Sequence, residues 1–160
     1  MRTHRPAYAA LVWLLVFVVT HVVAAVTTDP TADAGHWGYR AFLVYDLVLV
    51  AIATAGLAVV AATVRPWGRR IPRVRLLVPL WFGGVLLTVR GVPGMVENVA
   101  MVTGVAPGGF AGGGPLGTAD LVWSLTINTY FFVGAVVLVP TTLAYQRASR
   151  QGTSRTGRSA

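Results

Sequence analysis

Residues 65–75 read Arg-Pro-Trp-Gly-Arg-Arg-Ile-Pro-Arg-Val-Arg, and five of these eleven residues are arginine. The stretch separates two long apolar runs, at 41–64 and 76–102. Short arginine-rich loops between membrane spans stay on the cytoplasmic side. The segment therefore predicts that the chain leaves the membrane and re-enters it on the inner side at this point.

The other arginines follow the same rule. Eleven of the thirteen lie before the first apolar run, between the second and third, or after the fourth. The other two gaps hold Asp29, Asp33 and Asp120, with Arg40 as their only arginine, and Arg90 lies inside the third run. This asymmetry predicts four crossings with both termini cytoplasmic. We therefore expect an all-α integral membrane four-helix bundle.

Composition sets the class of protein. The chain is 55% hydrophobic and only 11% charged, whereas a soluble domain carries about 25% charged residues. The net charge of +8 does not indicate a nucleic-acid partner, because the arginines flank the spans. The chain has no lysine and no cysteine; the first is typical of GC-rich bacteria, and the second excludes disulfides, thiolate metal sites and dithiol redox chemistry. The predicted location is the bacterial cytoplasmic membrane.

The apolar runs place the spans at about 7–26, 41–64, 76–102 and 121–145, followed by a basic cytoplasmic tail, 146–160, that we expect to be disordered. The first run also resembles a signal peptide. A retained helix is favoured because about 20 apolar residues cross a bilayer and exceed the usual h-region of about 7–15. The third run is longer than a bilayer needs and contains Pro79 and Pro93 as candidate kinks.

Polar residues inside the spans are the candidates for function, because ionisable groups in a membrane cost at least ~2.5–3.5 kcal/mol and normally face partners. At ~1.5 Å per residue, Arg90 and His21 lie ~21–22 Å from the inner edge of a ~30 Å core. Asp46 and Asn128 lie ~9–12 Å below the outer edge on the same scale. Four residues on four helices therefore share one layer in the outer half of the membrane.

Spacing along two of the helices adds to this layer. Asp120, Ser124 and Asn128 recur every four residues and form one polar stripe on the fourth helix. Arg90 and Glu97 are seven apart and share a face if the third helix is continuous. Two glycines and a proline lie between them, and the helix can break there where it lines a cavity.

Two interpretations of the layer remain. One is a polar, ligand-binding pocket open to the outside, built from His21, Asp46, Arg90, Glu97, Ser124 and Asn128. The other is an Arg90–Asp46 ion pair with Asn128 and His21 as interhelical hydrogen-bond partners, each bond contributing roughly 0.6 kcal/mol. Arg90 keeps its proton, so it requires an anion, either a carboxylate of the chain or a ligand phosphate or carboxylate. No metal site is expected, because His21 lacks a cluster of further ligands.

The segment Arg90-Gly-Val-Pro-Gly-Met-Val-Glu-Asn98, with Thr103-Gly104 and Trp123-Ser124, resembles uncharacterised small four-span membrane proteins of GC-rich bacteria. The resemblance covers mainly the third and fourth helices. It implies the four-helix architecture and assigns no activity.

Three functions remain open at this point. The favoured one is a non-enzymatic accessory or interaction protein, whose partners are membrane lipid and a membrane protein or second copy of the chain. The alternatives are a small transporter and a protein that binds or modifies a lipid or isoprenoid at an outward-facing pocket around Arg90 and Asp46. No cofactor and no catalytic residue are predicted.

Overall fold

The structure is a computed structural model that describes residues 5–28, 38–110, 112 and 114–156, with side chains described up to residue 149. Within these residues the chain is all-helical. Four long helices follow in order: α1 (Arg5–Thr27), α2 (Gly38–Val64), α3 (Arg73–Val102) and α4 (Thr118–Thr156), with a short 3₁₀ helix (Pro66–Arg70) between α2 and α3.

All four helices are long and apolar enough to cross a membrane. This confirms the all-helical class and the four candidate spans, and it makes the chain a candidate multi-pass membrane protein. Apart from the end of α4, the predicted boundaries lie within three residues of the observed ones. Asp29 and Asp33, which contribute to the predicted topology, lie outside the described residues.

The end of α4 differs from the predicted span. The helix runs to Thr156, where the composition predicts a disordered tail from residue 146. Gln146, Arg147 and Ala148 are good or adequate helix formers and continue the last turns without a proline to stop them. The described residues of α4 that form the candidate membrane span are Thr118–Ser149, and residues 157–160 lie outside the described residues.

The chain divides into two compact units, Met1–Pro79 and Leu80–Ala160. In the first unit α1 packs on α2 through small side chains, with Ala7, Ala10 and Ala53 buried. A Cβ at Gly56 would lie 3.6 Å from Leu14 of α1, in ordinary van der Waals contact. Small residues at such contacts let two helices approach closely.

The arginine-rich segment is a compact turn on the end of α2. Gly68 is buried there, and any side chain at this position would run into the carbonyl oxygen of Ala62. Arg65, Arg69 and Arg70 are exposed around it. The turn thus presents its charges outward while its backbone stays against the helix.

In the second unit α3 packs on α4 through its glycines. A Cβ at Gly91 would come within 2.8 Å of the backbone of Phe131 and Phe132, so the two helices touch here backbone to backbone. Thr142 is fully buried further along and donates to the Leu138 carbonyl oxygen at 2.9 Å. The helix is continuous through Pro93, so the break that the glycines and this proline allowed does not occur.

The loop between α3 and α4 contains ordered turns. Gly104 has a positive φ of 75° and ends α3, a conformation typical of a helix C-terminus. The Gly109 amide then donates to the Ala106 carbonyl oxygen at 2.9 Å, and the Leu116 amide to that of Pro107 at 3.4 Å. The glycine-rich composition alone predicts a mobile connector, whereas these bonds give the segment a defined path.

Candidate functional site

Four polar side chains meet where α3 faces α4, and we call them the Asn128 cluster: Arg90, Glu97, Asn98 and Asn128. Glu97 and Asn98 are neighbours on α3 about two turns beyond Arg90, and Asn128 bonds all three from α4. Asn128 is 3% exposed and Asn98 is 6% exposed. Because these side chains are shielded from water, each of their polar atoms requires a hydrogen-bond partner.

Asn128 is the centre of the cluster. Its Oδ1 accepts a hydrogen bond from Arg90 Nη1 at 2.9 Å, and because a guanidinium has donors only, the atom facing it must be the amide oxygen. Its Nδ2 donates to Asn98 Oδ1 at 2.9 Å and to Glu97 Oε2 at 3.3 Å. One amide therefore joins a cation, an anion and a second amide.

Asn98 completes the link between the helices. Its Nδ2 donates to the Leu125 carbonyl oxygen at 3.1 Å and to Thr129 Oγ1 at 3.2 Å, both on α4. Together with the bond from Asn128, these contacts use both the amide oxygen and the amide nitrogen. Asn98 on α3 therefore bonds to two residues that lie one turn apart on α4.

Glu97 connects the cluster to the loop. Its Oε1 accepts the backbone amide of Phe110 at 2.9 Å, while its Oε2 accepts from Asn128. Gly109 has a positive φ of 77°, and a Cβ there would lie 2.7 Å from Glu97 Oε1. The glycine thus lets the loop backbone reach the carboxylate.

Arg90 lies at the edge of the cluster and is exposed. The carbon at the centre of its guanidinium is 5.2 Å from the centroid of the Phe131 ring, a cation–π distance. A Cβ at Gly94 would come within 2.8 Å of Arg90 Nη1 and of Asn128 Oδ1. The missing side chain at Gly94 leaves the room in which the guanidinium and the amide meet.

The other predicted site residues are placed differently. His21 belongs to the first unit, where its Nδ1 lies 2.9 Å from the Phe17 carbonyl oxygen of the same helix and its ring stacks on Phe17 at 3.8 Å. A carbonyl oxygen only accepts, so Nδ1 carries the proton. The imidazole is therefore engaged within α1.

Asp46 also belongs to the first unit and is 3% exposed. Its Oδ2 is buried and accepts no hydrogen bond from any residue that the structure describes. A buried carboxylate oxygen without a partner is costly. Since Asp46 and Arg90 belong to different units, their ion pair stays a prediction.

The polar stripe on α4 is only partly used. Asn128 joins the cluster, whereas the Ser124 hydroxyl makes no hydrogen bond within the described part of the chain, and Asp120 is exposed at the start of the helix. The structure therefore brings together Arg90, Glu97 and Asn128 of the six predicted residues. The gathering of His21 and Asp46 with them stays a prediction.

The sequence interpretation missed three partners: Asn98, the Phe110 amide and the Phe131 ring. Asn98 could have been found, because it follows Glu97 directly and lies eight residues after Arg90, near the same face of a continuous helix. The role of the Phe110 amide could not be predicted from the sequence, because every residue except proline supplies a backbone N–H donor. The Phe131 ring is one of several aromatic residues on α4.

No group of three or more His, Asp or Glu side chains that could hold a metal occurs among the described residues. An open groove lies along α4, lined by Leu125, Thr126, Thr129, Tyr130 and Val133. None of the six predicted site residues lines it.

Comparisons with protein-family models, with curated proteins and with solved structures gave no significant match to this chain. The resemblance drawn from the Arg90–Asn98 segment stays a prediction.

Proposed function

We propose that this chain is a non-enzymatic integral membrane protein that crosses the bacterial cytoplasmic membrane four times, with both termini inside. We further propose that it acts as an accessory or interaction partner of another membrane protein. The arginine asymmetry supports the topology, and four apolar helices are compatible with a membrane bundle.

The observation that carries the non-enzymatic assignment is that Glu97, Asn98 and Asn128 have hydrogen-bond partners for all their side-chain polar atoms. Both Glu97 oxygens, both polar atoms of Asn128 and both of Asn98 are used between α3, α4 and the loop. A general acid or base must reach its substrate's proton. Glu97 instead holds the loop amide and Asn128, which fits a structural tie.

A row of valines supports the interaction role. All eight valines of α3 are exposed, and five of them in succession alternate in steps of four and three: Val85, Val89, Val92, Val96 and Val99. This is the 3.5-residue spacing of a helix-pairing seam, and the row lies on the side of α3 away from Gly91 and α4. We call it the valine stripe. Apolar residues facing lipid need no explanation, but a single β-branched type at this spacing suits a partner helix.

Cross-linking in cells tests this proposal. A photo-crosslinking amino acid is placed at Val92 or Val96 in the stripe, or at Leu86, which is exposed on the flank of the same helix. The proposal predicts a discrete protein adduct from the two stripe positions and none from Leu86. Equal, diffuse labelling at all three positions would mean that lipid alone covers this face, and the interaction role would be abandoned.

A second candidate is a small transporter or a lipid- or isoprenoid-binding protein. One observation favours lipid binding: Arg90 is exposed at a membrane depth and uses only Nη1 in a hydrogen bond within its unit. A transporter would require a water-filled route from the outer pocket past Thr88 toward the inside. This form has less support, because the Thr88 hydroxyl donates to the Gly84 carbonyl oxygen of its own helix at 2.7 Å. The lipid-binding form is therefore the stronger alternative.

A further inference from the structure

Arg90 makes no direct ion pair with a carboxylate among the described residues of the second unit. Glu97 is the nearest acidic residue along α3, and its two oxygens accept hydrogen bonds from the Phe110 amide and from Asn128. A guanidinium keeps its proton, and a cation within a membrane span is costly unless it meets an anion. The guanidinium of Arg90 is therefore available to bind an anion from outside the second unit.

Two contacts from α4 restrain the guanidinium. Asn128 Oδ1 accepts from Nη1 at 2.9 Å, and the Phe131 ring centroid lies 5.2 Å from the central carbon, while the missing side chain at Gly94 leaves room for the group. A group held in this way loses little conformational freedom when it binds a ligand.

The remaining edge of the guanidinium is free. Nε and Nη2 donate no hydrogen bond to any residue that the structure describes in the second unit, and Arg90 is exposed. This edge is a fork of N–H donors, whose geometry matches two oxygens of a phosphate group. We propose that Arg90 binds the phosphate of a membrane lipid in the outer leaflet.

Depth supports a lipid as the source of the phosphate, and this step rests on the proposed membrane placement. Arg90 lies fifteen residues beyond Arg75, hence ~22 Å into a ~30 Å core and ~8 Å below its outer edge. A long arginine side chain reaches toward the interface from such a depth. Free phosphate presents the same oxygens and is distinguished by experiment.

The test uses the full chain, purified in a neutral detergent, with binding followed by native mass spectrometry and by the shift in melting temperature. The three probes are phosphatidylglycerol, diacylglycerol with the same acyl chains, and inorganic phosphate. We expect binding and stabilisation by phosphatidylglycerol and not by diacylglycerol. A response to inorganic phosphate as well shows that the phosphate suffices without acyl chains. Equal responses to phosphatidylglycerol and diacylglycerol would overturn the proposal.

Matched variants locate the site. Arg90→Gln is expected to weaken phosphatidylglycerol binding by about tenfold or more, the loss of a charge-assisted pair. Arg75→Gln removes the same charge at the inner edge and is expected to leave the affinity unchanged. Equal affinities of these two variants would overturn the proposal.

A charge-conserving variant covers the case in which Arg90→Gln does not fold. Arg90→Lys keeps the cation but loses the fork, so we expect a smaller but measurable loss of affinity. Unchanged affinity in Arg90→Lys, together with an unfolded Arg90→Gln, counts against the site. The cross-linking at Val92 does not depend on Arg90, so a failure of phosphate binding with the cross-link intact defeats this inference alone.

Discussion

Asn98 and Asn128 bond to each other across two helices, with Asn128 Nδ2 donating to Asn98 Oδ1 at 2.9 Å. Both are buried, and each holds a different part of the surroundings. Asn98 reaches the backbone of α4 at Leu125, and Asn128 reaches the charged residues Arg90 and Glu97. In an apolar environment this pair fixes the rotation and register of α3 against α4, because any other register leaves buried amides without partners.

The hydrogen bond from the Phe110 amide to Glu97 predicts a local effect on the loop between α3 and α4. Glu97→Ala removes the acceptor of the Phe110 amide while leaving the bonds of Asn98 in place. We expect hydrogen exchange at Phe110 to speed up by about tenfold, the equivalent of one lost hydrogen bond. The Thr103 amide, which donates to the Val99 carbonyl oxygen at the end of α3, serves as the control and should not change. An unchanged rate at Phe110 would mean that the loop holds its path without Glu97.

The backbone contact at Gly91 predicts a strong difference between two glycines of one helix. Gly91→Ala forces a methyl group against the backbone of α4, and we expect a loss of about 1–3 kcal/mol in the free energy of unfolding. Gly84→Ala places its methyl 3.4 Å from a Val139 side-chain carbon, so the higher helix propensity of alanine should leave stability equal or raise it by up to ~1 kcal/mol. Reversible unfolding in detergent measures both. Equal effects would show that the helices can separate at Gly91 without cost.

The unpartnered oxygen of Asp46 predicts that its charge does not hold the fold together. Asp46→Asn removes a buried negative charge at nearly constant volume, and we expect an equal or higher melting temperature. If no ion pair joins Asp46 to Arg90, the effects of Asp46→Asn and Arg90→Gln should add in the double variant. A destabilised Asp46→Asn whose stability recovers in the double neutral variant or in the charge swap would instead establish the Arg90–Asp46 ion pair.

Topology can be measured directly, because the chain has no cysteine to give background. Gly114→Cys lies in the loop between α3 and α4, in open space, and Trp67→Cys lies in the exposed arginine-rich turn. A membrane-impermeant maleimide should label the first in intact cells and the second only after permeabilisation. The reverse pattern would invert the proposed orientation and place Arg90 nearer the inner leaflet.

The fold follows from the sequence because a membrane span imposes a minimum length of apolar residues and helical hydrogen bonding. That constraint places α1, α2 and α3 to within three residues at each end. It says nothing about where a helix stops once it has left the membrane, so the extension of α4 to Thr156 was not predicted. The continuity of α3 through Pro93 was not predicted either, because a proline flanked by glycines is compatible with both a broken and an unbroken helix.

The candidate site was predictable only in part. Charge and helical spacing pick out Arg90, Glu97 and Asn128, which do meet. Spacing along one helix cannot say which atoms of a neighbouring helix or loop lie opposite, so the roles of Asn98 and of the Phe110 amide needed coordinates. Depth alone also grouped His21 with the cluster, although its ring is engaged within α1.

The most direct test of the central claim, that the Asn128 cluster is a structural tie, is a double-mutant cycle on Asn98 and Asn128. The free energy of unfolding in detergent is measured for Asn98→Ala, Asn128→Ala and the double variant, with Ser124→Ala as a control one turn away. We predict that each single change destabilises, that Ser124→Ala has no effect, and that the pair couples by about 1 kcal/mol. Single variants as stable as the parent, or strictly additive changes, would contradict a structural tie and favour a ligand site in its place.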